Sequence, residues 1–251
     1  MCLIGIAYQQ IAGVPLLVLA NRDEYYARPA QPIARWEDAP LLGGRDTQAG
    51  GSWLAVSDNG RVAAVTNVRT GSRASGRLSR GALVPAWLTS PLSAAEFAAE
   101  LTRQRGDYAP FNLLFGSMGD LYCFHSPRAL LTRLRPGVHI LCNGLPDAPW
   151  PKSERLRGWL SATTTLPGEE VLFDWLADRT PAPVEALPNT GVGLALEKFL
   201  SPIFIAGDDY GTRASTLLTL TSRGRGTLVE RSFHAGRPQG ARRLTFTVQP
   251  R

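Results

Sequence analysis

The chain has 251 residues, 44% of them hydrophobic and only 19% charged. That balance excludes a disordered polypeptide and supplies enough apolar surface for a sizeable core. The formal net charge is +6, but Lys152 and Lys198 are the only lysines and the arginines are scattered, apart from residues 69–80 and 223–243. No aromatic residues interleave with those arginines as a stacking platform would require, so no nucleic-acid partner is expected. The basic surface reads as a solvated face, with steering of anionic small molecules or lipid headgroups as the second reading.

Cys2 stands directly behind Met1, and residues 3–8 and 15–20 are short apolar, β-prone runs around a break at 9–14, the pattern of a hairpin. Cys2 then starts a strand, so a terminus there is held in a sheet rather than frayed. Asn21-Arg22-Asp23-Glu24 follows as a polar knot immediately after the second strand, and residues 28–46 are Pro-rich and irregular. Residues 52–56 and 61–66 flank Ser57-Asp58-Asn59-Gly60, whose Asn-Gly pair predicts a second hairpin ending at Asn67. Residues 81–88 predict a short helix. Ser93-Ala94-Ala95-Glu96 has the spacing of a capping box before a helix that Gly106 closes. Strands are expected at 111–115, 121–124 and 138–142, helices at 153–160 and 169–178, and strands again at 203–205, 215–221, 228–233 and 244–248. Strands, then helices, then strands, without repeat or linker, give an α+β fold in a single domain over 1–251.

The three cysteines are Cys2, Cys123 and Cys142. An odd, low number in a chain of this length argues against a disulfide framework. Cys123 and Cys142 lie in apolar runs and read as buried, inert thiols, and no metal-ligand spacing joins them to His125, His139 or His234. No positive charge precedes Arg22, Gly13-Val14-Pro15 interrupts the first apolar stretch, and no later run approaches the ~18 apolar residues of a membrane span. A cytoplasmic protein without a membrane span is expected.

Cys is small enough at position 2 for removal of Met1, which would leave a thiol and a free α-amine on one residue. That amine titrates at about 7.7–8.0 and can act as base to its own thiol. Such a nucleophile attacking an amide needs a cation to favour the thiolate, a carboxylate to orient, and amide donors for the tetrahedral oxyanion. Arg22, Asp23, Asn67 and Asn143 are of those types, each at or beyond an expected strand end. Arg213, in Tyr210-Gly211-Thr212-Arg213, precedes an apolar strand, where it either approaches Cys2 or pairs with Asp208 or Asp209.

Eight motifs then occur in order: Met1-Cys2-Leu3, Asn21-Arg22-Asp23-Glu24, Gly43-Gly44-Arg45-Asp46, Gly50-Gly51-Ser52-Trp53-Leu54, Thr66-Asn67-Val68-Arg69, Phe111-Asn112-Leu113, Pro149-Trp150-Pro151-Lys152 and Tyr210-Gly211-Thr212-Arg213. Together they resemble the NRDE family, the family of transport and Golgi organisation protein two. The resemblance implies an N-terminal-nucleophile hydrolase-like fold, a four-layer α-β-β-α sandwich of two stacked antiparallel sheets. Related cysteine amidases imply catalytic roles for Cys2, Arg22, Asp23 (with Glu24 as its rival), Asn67, Asn143 and Arg213. Two functions are therefore carried forward. One is a cysteine amidohydrolase cleaving a non-peptide C–N amide with no cofactor. The other, implied by the family's association with haem trafficking and lipid or acyl-CoA homeostasis, is a non-catalytic cytoplasmic carrier of haem or an acyl metabolite. In either case the partner is a small molecule. Trp36, Trp53 and Trp150 are the aromatics expected nearest the site.

Overall fold

The computed structural model describes residues 2–71 and 76–248; Met1, and Arg73 of the basic stretch 69–80, lie outside the described residues. The apolar runs near the N-terminus become β1 (Cys2–Ile11) and β2 (Val14–Tyr25), paired antiparallel. They form the middle of a six-stranded sheet with β10 (Gly137–Leu141), β11 (Tyr210–Leu220), β12 (Arg225–His234) and β13 (Arg237–Thr247), in the order β10-β1-β2-β11-β12-β13. The second sheet is a seven-stranded meander in chain order. It runs through β3 (Ala30–Arg35), β4 (Leu41–Asp46), β5 (Leu54–Ser57), β6 (Val62–Asn67), β7 (Phe111–Gly116), β8 (Leu121–His125) and β9 (Leu130–Arg133).

Alternation along each strand sorts the core into three layers. Ile4, Ile6, Leu16, Val18 and Leu218 face Leu54, Val56, Val62 and Leu114 across the space between the sheets. On the opposite face of the first sheet, Leu3, Leu17, Leu19 and Leu217 meet α3 (Pro151–Ser161) and α4 (Glu169–Leu176). The outer face of the second sheet packs Ala63, Val65, Leu113 and Phe115 against α1 (Leu83–Thr89) and α2 (Ala94–Gln104). The result is the four-layer α-β-β-α order expected from the resemblance, all antiparallel. The capping box of α2 is present: the Ser93 hydroxyl accepts from Glu96 N–H and the Glu96 carboxylate accepts from Ser93 N–H. No described helix is long and apolar enough to cross a membrane.

Four expectations need correction. Asn21–Glu24 does not follow the second strand but continues it, because distant partners satisfy the polar side chains (below). Residues 28–46 hold β3 and β4; Pro32 is tolerated because β3 is an edge strand. Residues 203–205 are not a strand, although Ile203, Phe204 and Ile205 are buried. Finally, β9 and the six-residue α5 (Leu194–Phe199) were not foreseen, each being too short to show a period.

Candidate functional site

The site starts from strand register. Cys2 is directly opposite Arg22 in the β1–β2 pair. Since Ile4, Ile6, Val18 and Ala20 point between the sheets, a period of two carries Cys2 and Arg22 onto that same face. Here the apolar filling gives out and a cleft of ≈430 Å³ opens, lined by Cys2, Arg22, Asp23, Glu24, Trp53 and Asn67 among others. Cys2 is half-buried; Arg22 is buried, with its guanidinium 4.3 Å from the centroid of the Trp53 ring. That stack fixes the cation beside the sulfur. Burial, the largest influence, pushes the Cys2 thiol up, and the Asp23 charge adds to this. Arg22 and a hydrogen bond from the Asp23 backbone pull it down. The balance leaves the thiol above its ordinary value.

The opposite parity sends Asn21 and Asp23 toward the helical layer. Asn21 is fully buried; its amide donates to the carbonyls of Leu176 (2.8 Å) and Ile203 (2.9 Å), and its oxygen accepts from Ser215 Oγ (2.7 Å). The first residue of the tetrapeptide is thus a structural bolt. Asp23 is 1% exposed and accepts from Thr212 Oγ1 at 2.7 Å, while the Tyr210 hydroxyl donates to the Asp23 carbonyl at 3.1 Å. Burial raises the Asp23 carboxyl; Lys152, Thr212 and Arg69 oppose it. Lys152 is itself buried and donates to the Leu200 carbonyl at 2.9 Å. The Tyr210–Thr212 and Pro149–Lys152 motifs therefore form the backing of Asp23. Glu24 differs: it is half-buried and its Oε1 accepts its neighbour's Tyr25 N–H at 2.9 Å.

The second sheet supplies Asn67 at the end of β6. Asn143 is fully buried and does not line the cleft; its Nδ2 donates to the Asn67 carbonyl (3.0 Å) and to Asn67 Oδ1 (3.1 Å). With Oδ1 accepting, Asn67 keeps its own amide N–H groups as donors. Behind this pair stands a buried polar network that sequence reasoning missed. Thr66 Oγ1 donates to the Cys142 carbonyl (2.8 Å), Asn112 Nδ2 to the carbonyls of Cys142 (3.2 Å) and Gly144 (2.9 Å), and His125 Nδ1 meets Asn112 Oδ1 at 2.7 Å. It ties the segment after β10 to the second sheet. The Phe111-Asn112-Leu113 motif was the available signal.

Arg213 does not line the Cys2 cleft. It lies inside β11, at the bulge between Thr212 and Ala214, and lines a second concavity of ≈400 Å³ together with Arg22, Trp53 and Glu230. Its guanidinium donates to the carbonyls of Tyr25 (3.3 Å) and Arg28, not to Asp208 or Asp209. Of the three tryptophans, only Trp53 lines the cleft; Trp36 lies under Arg45 and Trp150 under Arg69. Cys123 and Cys142 are buried, and no group of three His, Cys, Asp or Glu able to hold a metal occurs among the described residues. His139 is engaged at both nitrogens, by Asp147 and the Arg135 carbonyl, and His234 packs on Tyr26.

The four-layer α-β-β-α sandwich thus brings Cys2, Arg22 across the ladder from it and Asn67 from the facing sheet to one cleft. The model of the Transport and Golgi organisation 2 family matches residues 1–235, and the chain belongs to that family. Among its relatives, the Transport and Golgi organization protein 2 homolog of Bos taurus is 30% identical over 244 residues, covering 89% of this chain and 88% of that protein. The Mus musculus homolog is 28% identical over 241 residues (87% and 86%), and the Drosophila melanogaster protein 24% over 262 (92% and 90%). Similar solved structures include a Caenorhabditis elegans ortholog of N-acylethanolamine-hydrolyzing acid amidase, with a TM-score of 0.49, 12% identity, and coverage of 86% of this chain and 92% of that one. A mutant conjugated bile acid hydrolase from Clostridium perfringens has a TM-score of 0.46, 9% identity, and coverage of 97% and 92%.

Proposed function

We propose that Met1 is removed and that Cys2 is the N-terminal nucleophile of an amidohydrolase acting on a non-peptide C–N amide. The observation that carries this reading is the direct pairing of Cys2 with Arg22 at the mouth of the inter-sheet cleft. The Cys2 α-amine takes the thiol proton as sulfur attacks the carbonyl carbon. Asn67, oriented by Asn143, donates to the tetrahedral oxyanion, and Arg22 stabilises the thiolate. The α-ammonium then returns its proton to the leaving amine, the C–N bond breaks, and a thioester on Cys2 remains. Water, deprotonated by the same amine, hydrolyses that thioester to the acid and restores the thiol. Asp23, backed by Thr212 and Lys152, orients the terminus, while Glu24 is placed to meet substrate.

The test is amine release from a panel of N-acyl amides. Cys2→Ala should abolish it, and Asn67→Ala should lower kcat by about 10²–10³ with KM little changed, the effect of removing one oxyanion donor. Release that survives Cys2→Ala, or none across the panel, overturns the reading. Saturable haem binding in place of turnover would favour the carrier.

A further inference from the structure

Four arginines line the Cys2 cleft, and three are already engaged. Arg28 pairs with Asp46 at 2.6 Å, Arg77 with Asp107 at 3.2 Å, and Arg22 lies on Trp53. Arg80 differs. Its Nη1 donates to the Pro110 carbonyl at 3.2 Å, and among the described residues it forms no ion pair. It is half-buried, and its charge acts on both Cys2 and Glu24. An arginine keeps its charge under such desolvation, so a second partner with matching geometry is the missing element.

The segment that carries Arg80 is fixed in place. Leu78 N–H donates to the Asp107 carbonyl (2.8 Å), Ser52 N–H to the Gly81 carbonyl (3.0 Å), and the Ser79 hydroxyl accepts from Gly81 N–H (3.3 Å). Backbones pack so closely here that a Cβ on Gly51 would stand 2.3 Å from the Gly81 carbonyl carbon, and one on Gly76 2.3 Å from Ala109 N. The glycines permit that approach, and the guanidinium is held ready rather than recruited from solvent. None of the cleft's described carboxylates forms an ion pair with it. Asp46 is paired with Arg28, Asp23 accepts from Thr212, and Glu24 Oε1 accepts from Tyr25 N–H.

We propose that Arg80 anchors a carboxylate on the substrate of the Cys2 cleft, so that the amide cleaved belongs to the class carrying an anionic group. This deepens, and rests on, the amidohydrolase reading. The unpaired Arg80, fixed within a cleft that also holds Cys2, carries it; the nearby Glu24 limits the site to one anionic group by repulsion. Arg80 is a specificity-determining residue in this scheme.

Calorimetric titration of the full chain carrying Cys2→Ala tests it without hydrolysis, using N-octanoylglycine against its neutral isostere N-octanoylglycinamide. The acid should bind at least about tenfold tighter than the amide, the scale of a charge-assisted hydrogen bond to arginine. The added substitution Arg80→Gln should bring the two within about twofold at an unchanged melting temperature, Arg80→Lys should keep part of the preference, and Arg77→Gln all of it. Equal affinities, a preference that survives Arg80→Gln, or no binding of either ligand overturns the proposal. Should Arg80→Gln fail to fold, the Arg80→Lys ratio decides: a preference no smaller than that of the parent overturns it. A preference for the acid in a protein that releases amine from no member of the N-acyl amide panel would sink the hydrolase reading and leave the anion site standing.

Discussion

Glu230 offers a quantitative check on the interior between the sheets. It is 1% exposed at the middle of β12, and its carboxyl accepts from Ile33 N–H of the facing sheet (3.1 Å) and from Thr216 Oγ1 (3.2 Å). Burial pushes this carboxyl up to about 7, against the pull of those bonds and of Arg22 and Arg242. In the unfolded chain it returns to an ordinary value of 4.5. Between those two pH values the folded protein holds a proton that the unfolded chain has released. Stability is therefore greatest below 4.5, falls as pH rises through about 7, and then levels off. The gap corresponds to about 3 kcal/mol. Glu230→Gln keeps the size and an acceptor oxygen but cannot ionise. Denaturation of both proteins from pH 4.5 to 8 should show the variant gaining on the wild type by about 3 kcal/mol, or about 6–12 °C in Tm for a chain of this size. A difference that stays constant across that range refutes the reasoning.

Two other substitutions separate bracing from chemistry. Asn21→Leu leaves the carbonyls of Leu176 and Ile203 and the Ser215 hydroxyl without their partner in a fully buried place. It should cost about 3 kcal/mol or more in chemical denaturation, since each orphaned group costs about 1–3 kcal/mol. A loss below 1 kcal/mol would mean that water reaches the site. Arg213→Met removes donors to the Tyr25 and Arg28 carbonyls, so it should lower the melting temperature by a few degrees, for about 1 kcal/mol. The pH midpoint of Cys2 alkylation should stay where it is, and a clear rise in that midpoint would place Arg213 in the electrostatics of the thiol after all.

Wherever a signal is local, the sequence displays it. The capping box of Ser93 and Glu96, the Asn59-Gly60 turn and the paired apolar runs of β1 and β2 each draw their energy from residues a few positions apart. The tetrapeptide Asn21–Glu24 shows the limit. Asn, Asp and Glu disfavour a strand by propensity, yet the tetrapeptide extends β2 because Ser215, Thr212 and the carbonyls of Leu176 and Ile203 satisfy Asn21 and Asp23. Those partners lie more than 150 residues away, and no window of sequence contains them. Cys2 and Arg22 come together because a hairpin is a short-range object. Asn67 and Asn143 were legible as residue types, but only the fold reveals that one orients the other rather than both facing the sulfur. Arg80 gives no local sign at all: its setting depends on glycines at 51 and 76 that let three chain segments touch. Arg213 sits at a one-residue bulge that no stretch of sequence displays, and its guanidinium meets the Tyr25 and Arg28 carbonyls rather than Asp208 or Asp209.

The most direct measurement is the mass of the wild-type protein, intact and digested, quenched in acid milliseconds to seconds after mixing with a cleavable N-acyl amide. The chain should start at Cys2 and carry a transient acyl adduct on its N-terminal peptide. That adduct should be absent in Cys2→Ala, form more slowly in Asn67→Ala, and vanish on brief treatment with hydroxylamine, as a thioester does. Retention of Met1, or amine release with no adduct on Cys2, would contradict the assignment of Cys2 as nucleophile.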